Sequence, residues 1–345
     1  MSKQTVMVTG NLGYIGSVMV PILTREGYGV VGYDIGYYEK CYLADAVQDL
    51  KEQIKKDIRD VTVEDLRGID SIIHLCGLSN DPLGELDVSL TEDINFHATM
   101  KLAEFAKKAG AKRFLYASSQ SVYGVSDTSK EVDETGEKNP LTAYAKTKWQ
   151  SECELVKLAD DDFVVTCLRP ATAYGASPNL RTDIVFNAFV AYAYTQKNIE
   201  IKSDGTPWRP MSHVCDITAA FMACLEAPAG LINNQSFNVG TAENNYTVRD
   251  LATSAQKCVD GTKLTFTGEH IDSRSYRVSS NKILTVLKDY YKPEWTIEKG
   301  GEELMKYYTD VSFDIDTFNG SKTVRLMCLK ELIEAGKIDG NLRVI

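Results

Sequence analysis

Ser119 and the pair Tyr144 and Lys148, four residues apart, are the side chains in this sequence best placed to handle a proton. On a helix, positions i and i+4 share a face, so that phenol and that ammonium are neighbours. An ammonium beside a phenol favours the phenolate and draws its pKa toward working pH. A tyrosine so tuned can take a proton from a hydroxyl. The Tyr-x-x-x-Lys spacing occurs on many solvated helices and says little alone. It gains weight from the turn Thr9-Gly10-Asn11-Leu12-Gly13-Tyr14-Ile15-Gly16 upstream. Glycines between a strand and a helix let backbone N–H groups approach a pyrophosphate at the helix N-terminus. The spacing here is GxxGxxG rather than the commoner GxGxxG, and its place between the first strand and first helix is what makes it informative. Asp34 closes the second strand, where a carboxylate accepts from ribose hydroxyls and repels a 2′-phosphate, favouring NAD over NADP.

Those residues need a scaffold of alternating strands and helices. Thr5–Thr9, Gly29–Asp34, Asp70–Cys76, Arg113–Ala117 and Phe163–Leu168 read as strands. Helical spacing covers Tyr14–Glu26, Asn95–Ala109 (stopped by Gly110) and Thr142–Ala159. Apolar strands alternating with helices predict a doubly wound α/β fold whose parallel sheet is covered on both faces. Ser119 then follows a strand at the carboxyl edge of the sheet, where such folds bind ligands. Pro21 falls inside the first helix and should kink it. Ile35–Leu50 lacks periodicity and reads as a loop with a short helix. After Arg169-Pro170 the alternation stops. Helices at Asp183–Gln196, Val214–Glu226 and Val248–Val259, a turn at Asp204-Gly205 and a strand at Phe237–Gly240 suggest a smaller mixed lobe. The expected division is 1–175 for dinucleotide binding, with a return near 235–245, and 176–345 mainly for substrate.

Composition excludes several classes. A chain of 345 residues, 43% hydrophobic and 25% charged, is globular by default. A formal charge of −10 argues against nucleic acid as a partner, since phosphate neutralisation needs a basic face. The eight cysteines are scattered singly without CxxC spacing, and His74, His97, His213 and His270 are not spaced for a metal. No apolar stretch approaches the ~20 residues of a membrane span. Met1-Ser2-Lys3-Gln4 runs straight into a strand without a signal peptide, so a reducing cytoplasm is the expected compartment.

Taken together, the chain resembles the extended short-chain dehydrogenase/reductase family, specifically its NAD-dependent nucleotide-sugar epimerases and dehydratases. The matching segments are Thr9–Gly16, Asp57-Ile58, Ala117–Gly124, Tyr144–Lys148, Leu168–Gly175 and Arg209–Asp216, in the family's order. They span roughly residues 4 to 280. The resemblance implies a Rossmann domain holding NAD through Gly10, Gly13, Tyr14, Ile15, Gly16, Asp34, Leu75, Tyr144, Lys148 and Pro170, with Asp57 and Ile58 at the adenine. It implies Ser119, Tyr144 and Lys148 as the catalytic set, with Asn95 supporting the active-site helix. Ser121, Asn179, Arg209 and Arg274 would hold the nucleotide sugar. The segments around Trp208 and from Asp272 to Val278 would line its pocket. A homodimer built on the helices at 95–109 and 142–159 is also expected from the resemblance.

One departure bears on the reaction. Sugar 4,6-dehydratases usually carry an acidic residue directly after the triad Ser/Thr, for C6 hydroxyl loss and C5 proton abstraction. This chain has Gln120 and Ser121 there. A C4 epimerase is therefore the expectation, with a dehydratase or a 4-keto-sugar reductase as the alternative and a silent dinucleotide sensor more remote.

Overall fold

The computed structural model describes residues 3–46, 48–79, 87–268 and 275–345. The strands are β1 (Thr5–Thr9), β2 (Gly29–Asp34), β3 (Glu52–Lys55), β4 (Ser71–His74), β5 (Arg113–Ala117) and β6 (Val164–Pro170). They continue with β7 (Thr172–Tyr174), β8 (Asn198–Ile201), β9 (Trp208–His213), β10 (Gln235–Val239), β11 (Asn245–Thr247) and β12 (Lys263–Phe266). Seven form one sheet in the order β10-β6-β5-β4-β1-β2-β3. Every pairing in it is parallel. Small sheets β11-β9-β7 and β12-β8 belong to the second half.

The helices are α1 (Gly16–Arg25), α2 (Val88–Glu92), α3 (Ala98–Ala109), α4 (Ala143–Leu155), α5 (Val185–Gln196) and α6 (Val214–Glu226). After them come α7 (Ala229–Ile232), α8 (Val248–Lys257), α9 (Asn281–Val286), α10 (Ile297–Asp310), α11 (Ile315–Asn319) and α12 (Arg325–Glu334).

Side-chain alternation explains why the central strands are apolar throughout. Val6, Val8, Val30, Ile73, Leu115 and Leu168 face α1 and α6, meeting Met19, Leu23, Ile217 and Phe221. Met7, Val31, Ile72, Phe114 and Val165 face the other way, onto Leu102 and Ala106 of α3 and Leu155 of α4. This is the doubly wound sheet expected, with β10 as the returning strand at its edge.

Local differences have local causes. α1 begins at Gly16 because the glycine turn extends to Ile15, and it continues through Pro21, whose missing N–H removes a single i−4 bond. Helix begins at Val88 rather than Asn95, since Asp87 caps it by accepting from Leu90 N at 3.0 Å. A π turn at Asp93–His97 joins α2 to α3, and Gly110 stops the run at φ 92°. β3 reads Glu-Gln-Ile-Lys, too polar to announce a strand, because it lies at an edge of the sheet.

The last residues return to the first half. Leu329, Ile338 and Leu342 join the core beneath α3. Arg59 donates to the carbonyls of Asn341 at 3.0 Å and Leu342 at 3.2 Å. Tyr37 donates to the Leu342 carbonyl as well.

One buried ion pair ties the site's elements together. Arg169 on β6 and Glu152 on α4 are 3% and 2% exposed and lie 2.7 Å apart. Glu152 also accepts from Ser118, at the end of β5, and from Ser236 on β10 at 3.1 Å. Arg169 donates to the Tyr123 hydroxyl at 2.9 Å. Burial opposes the charge on Arg169, but Glu152 and Tyr123 outweigh it and hold its pKa above the ordinary range. Removing one partner strands the other. Glu152→Ala is expected to cost about 3–5 kcal/mol in denaturant unfolding. The apolar pair Glu152→Leu with Arg169→Met should recover most of that loss. A double variant as unstable as the single one would mean that the loss is not a stranded charge.

Candidate active site

The cavity lies along the carboxyl edge of the large sheet, has a volume of about 530 Å³ and reaches from the glycine turn to Arg209. That is the size range of small-molecule sites.

The glycine turn is fixed by contact. Gly10 has φ 74°, and a Cβ there would sit 2.9 Å from the Cys76 nitrogen. Gly16 is tighter still, since its Cβ would fall 2.3 Å from the Gly10 carbonyl oxygen and 2.6 Å from Asn11 Cα. Gly13 donates to the Gly10 carbonyl at 3.0 Å. The GxxGxxG spacing thus folds the turn onto itself and leaves the start of α1 open to a phosphate. Gly10, Gly13, Tyr14, Ile15 and Gly16 all line the cavity.

Beyond the turn, Asp34 accepts from Gly36 N at 2.8 Å and Leu12 N at 3.2 Å. Burial lifts its carboxyl to about 6, against those two amides. Asp57 and Ile58 lie on the same wall. The Asp57 carboxylate is held by Arg59 at 2.6 Å and Arg343 at 3.3 Å. Leu75 and Pro170 also line the cavity. A turn in which Gly10 and Gly16 leave no room for a Cβ, followed by a carboxylate lining the same cavity, fits a dinucleotide such as NAD.

Ser119, Tyr144 and Lys148 line the same cavity. Thr142 caps α4 by accepting from Ala145 N at 3.2 Å, which starts the helix just before Tyr144. The Lys148 nitrogen lies 5.8 Å from the Tyr144 ring centre and donates to the Ala117 carbonyl at 2.7 Å. Lys148 is 4% exposed, and burial pushes its pKa down to about 8. Ser119 ends β5's loop and accepts from Ser121 N at 3.1 Å. Asn95, in the π turn, offers its carbonyl to Ser151 of α4 at 3.2 Å and grips Leu78 through its amide.

On the substrate side the expected residues divide. Ser121 faces the cavity, and its buried hydroxyl has no hydrogen-bond partner within the described protein. Arg209, on β9, lines the cavity too, with one nitrogen on the Trp208 carbonyl at 2.8 Å. Tyr276 also lines it, but Arg274 and the residues from Glu269 onward to it lie outside the described residues. Asn179 corrects its expectation. It is fully buried and does not line the cavity; its amide donates to the Leu12 carbonyl at 2.7 Å and the Tyr38 carbonyl at 3.1 Å. It braces the glycine turn from behind.

Sequence reading missed Arg181, Asp183 and Arg325, all cavity residues. Arg181 pairs with Asp183 at 2.8 Å and reaches Ser79 at 3.1 Å. The Arg181-Thr-Asp183 charge pair was the available signal. His74 and His213 have protein partners: His74 joins Thr9 and Thr99, and burial drives its pKa down to about 3. His213 meets Glu303 at 2.9 Å.

A glycine-rich turn and a Ser/Tyr/Lys set lining one cavity at the edge of a parallel sheet define a dinucleotide-dependent α/β enzyme of the short-chain dehydrogenase/reductase type. Residues 6–240 match the NAD dependent epimerase/dehydratase family, and the chain belongs to it. A UDP-glucose 4-epimerase of Mycolicibacterium smegmatis is 31% identical over 260 residues, covering 72% of this chain and 80% of that one. A human dTDP-D-glucose 4,6-dehydratase is 25% identical over 246 residues, covering 68% of each. The solved structure of MoeE5 in complex with UDP-glucose and NAD superposes with a TM-score of 0.74 at 26% identity, covering 89% of this chain and 99% of that one. NAD is the cofactor of this family and of this protein.

Asp34 should make that cofactor choice measurable. Titration is expected to find NAD bound roughly tenfold or more tighter than NADP. Ribose hydroxyls donate to the ionised carboxylate, so affinity should weaken as the pH falls through about 6. Asp34→Asn should narrow the NAD/NADP gap and abolish that pH dependence. NADP binding as tightly as NAD would remove Asp34 from the ribose role.

Proposed function

We propose that this protein is a nucleotide-sugar epimerase acting at C4 through a 4-keto sugar. The observation that carries this reading is the wall beside Ser119. Ser121 lines the cavity there with its hydroxyl buried, while Gln120 turns inward to the Val239 carbonyl at 3.3 Å. Neither position has the carboxylate that C5 deprotonation and C6 hydroxyl loss need. Similarity to both epimerases and dehydratases fits the shared first half of those reactions.

In this reading Tyr144 takes the C4 hydroxyl proton, and Ser119 donates to the same oxygen as charge develops there. Lys148 stays cationic near neutral pH, favours the phenolate and holds the cofactor's ribose. Bound NAD supplies the hydride acceptor and, on the return, the donor. The keto sugar turns over in the pocket and is reduced on its other face, with Tyr144 giving the proton back. Ser121 and Arg209 bind the sugar and its phosphates. A net reductase on the same scaffold would consume external reduced cofactor, which an epimerase does not.

Tyr144→Phe removes the hydroxyl and keeps the ring. NAD binding should survive, and turnover of the responsive nucleotide sugar should fall by roughly 10²–10⁴-fold. Lys148→Ala should lower activity and move the pH optimum upward. Near-normal turnover by Tyr144→Phe would sink the mechanism while leaving the fold intact.

The proposed assembly is a homodimer through the outer faces of α3 and α4. Of the apolar residues expected on this face, Phe96, Met100, Phe105, Trp149 and Leu158 are half-buried, while Leu155 is fully buried in the chain's own core. Met100, Phe105 and Leu158 already touch the chain's own core, so the interface would extend that core rather than cover bare surface. Sedimentation at micromolar concentration should give twice the 38.3 kDa chain mass. A monomer there would end this proposal. A cytoplasmic location goes with the reading: all eight cysteines are free, and among the described residues no helix is long and apolar enough to cross a membrane.

A further inference from the structure

Arg325 opens α12, in the last segment of the chain, yet it lines the cavity of the first half. It is 2% exposed. Its hydrogen bonds go to neutral oxygens: the Asn179 backbone carbonyl at 2.8 Å, the Asn179 side-chain oxygen and the Lys322 carbonyl at 3.4 Å. The guanidinium lies 4.6 Å from the Tyr38 ring centre. Among the described residues no carboxylate pairs with it. The acidic groups that act on it are Tyr38, the Cys41 thiol, whose pKa Arg325 helps to lower, and Asp183, which is engaged by Arg181. Burial first, then Arg181, pull the Arg325 pKa below the ordinary arginine value.

A buried cation with no carboxylate paired to it is costly, and a fold that keeps one on a cavity wall gains when a strong anion arrives. The position of this one is specific. Asn179, which receives Arg325, also holds the Leu12 carbonyl in the glycine turn. Arg181 stands near by, close enough to act electrostatically on both Arg325 and Tyr14 of that turn. With Arg181 paired to Asp183, the Arg325 guanidinium is left on the wall of the cavity that the start of α1 also lines, where backbone N–H groups already favour phosphate.

We propose that Arg325 is a phosphate-binding residue of the dinucleotide site, so that the C-terminal segment completes the cofactor pocket. The ligand group is the cofactor's pyrophosphate, and the inference rests on the NAD site described above. The tail's other contacts serve this placement. Arg59 and Tyr37 hold the carbonyls of Asn341 and Leu342, and the Cys41 and Cys328 sulfurs touch at 3.4 Å, seating α12 against the loop after β2.

The test is nucleotide binding by the full chain after bound nucleotide has been stripped, with NAD, ADP and adenosine as probes. Arg325→Met keeps the stem and the Tyr38 contact. It should weaken NAD and ADP by roughly tenfold or more, as for loss of a charge-assisted phosphate bond, and leave adenosine unchanged. Arg325→Lys, which keeps the charge and loses the planar fork, should fall between them. Wild-type binding of NAD should also decline more steeply with salt than that of Arg325→Met. Equal NAD and ADP affinity in wild type and Arg325→Met would overturn the inference. So would a parallel loss of adenosine, which would mark Arg325 as a packing residue only. If the wild type bound adenosine but neither NAD nor ADP better, the cofactor site itself would be wrong.

Discussion

The Glu152–Arg169 pair is the constraint on which the site's geometry depends. Glu152 lies one helical turn after Lys148 and two after Tyr144, so whatever fixes its carboxylate fixes the rotation of α4. Arg169 holds it from β6, Ser118 from the residue before Ser119, and Ser236 from β10. Three neighbouring strands, β5, β6 and β10, are therefore tied to α4 through one carboxylate. Buried ion pairs add little net stability compared with apolar packing, but they are directional. Here direction is what matters, because a proton can move only between groups held at hydrogen-bond distance.

Adjacent to that pair, Asn95 performs the same task with neutral groups. Its backbone carbonyl, in the π turn, accepts from Ser151 of α4 and from the Thr99 hydroxyl. Its side-chain amide closes on both backbone atoms of Leu78, after β4. The helix that carries Tyr144 and Lys148 is thus registered against the sheet on one side by charge and on the other by a peptide-like pair. The glycine turn needs neither device. It is positioned by exclusion, since Gly10 and Gly16 approach backbone so closely that no side chain fits.

How much of this is legible in sequence follows from which signals are local. β1, β2 and β5, together with α6, are read to their ends because unbroken apolar runs and glycine or proline stops are local. β3 is not, because an edge strand needs no apolar pattern. The buried face of α4 carries Thr147, Lys148, Ser151 and Glu152, which a hydrophobic period would place in solvent. Its partners lie far along the chain, so the burial is invisible from the helix alone. The same holds for Asn179, assigned to substrate by resemblance and found bracing the glycine turn, and for Arg325. Its route to the cavity depends on the tail crossing back to the first half of the chain.

Burial works against the charge on three cavity groups at once. Asp34 is raised, Lys148 lowered and Arg325 lowered, each chiefly by loss of water. In a protein selected for stability alone such groups would be apolar or paired. Under the roles proposed here each has its missing partner on one molecule: ribose hydroxyls for Asp34, the second ribose for Lys148, the phosphates for Arg325. The cofactor then satisfies the polar requirements of the cleft as well as supplying its redox chemistry. Such a cleft is more stable filled than empty by the mass-action term of a ligand that binds only the folded state. That suits an epimerase, whose cofactor ends each cycle in the form in which it began and has no chemical reason to leave.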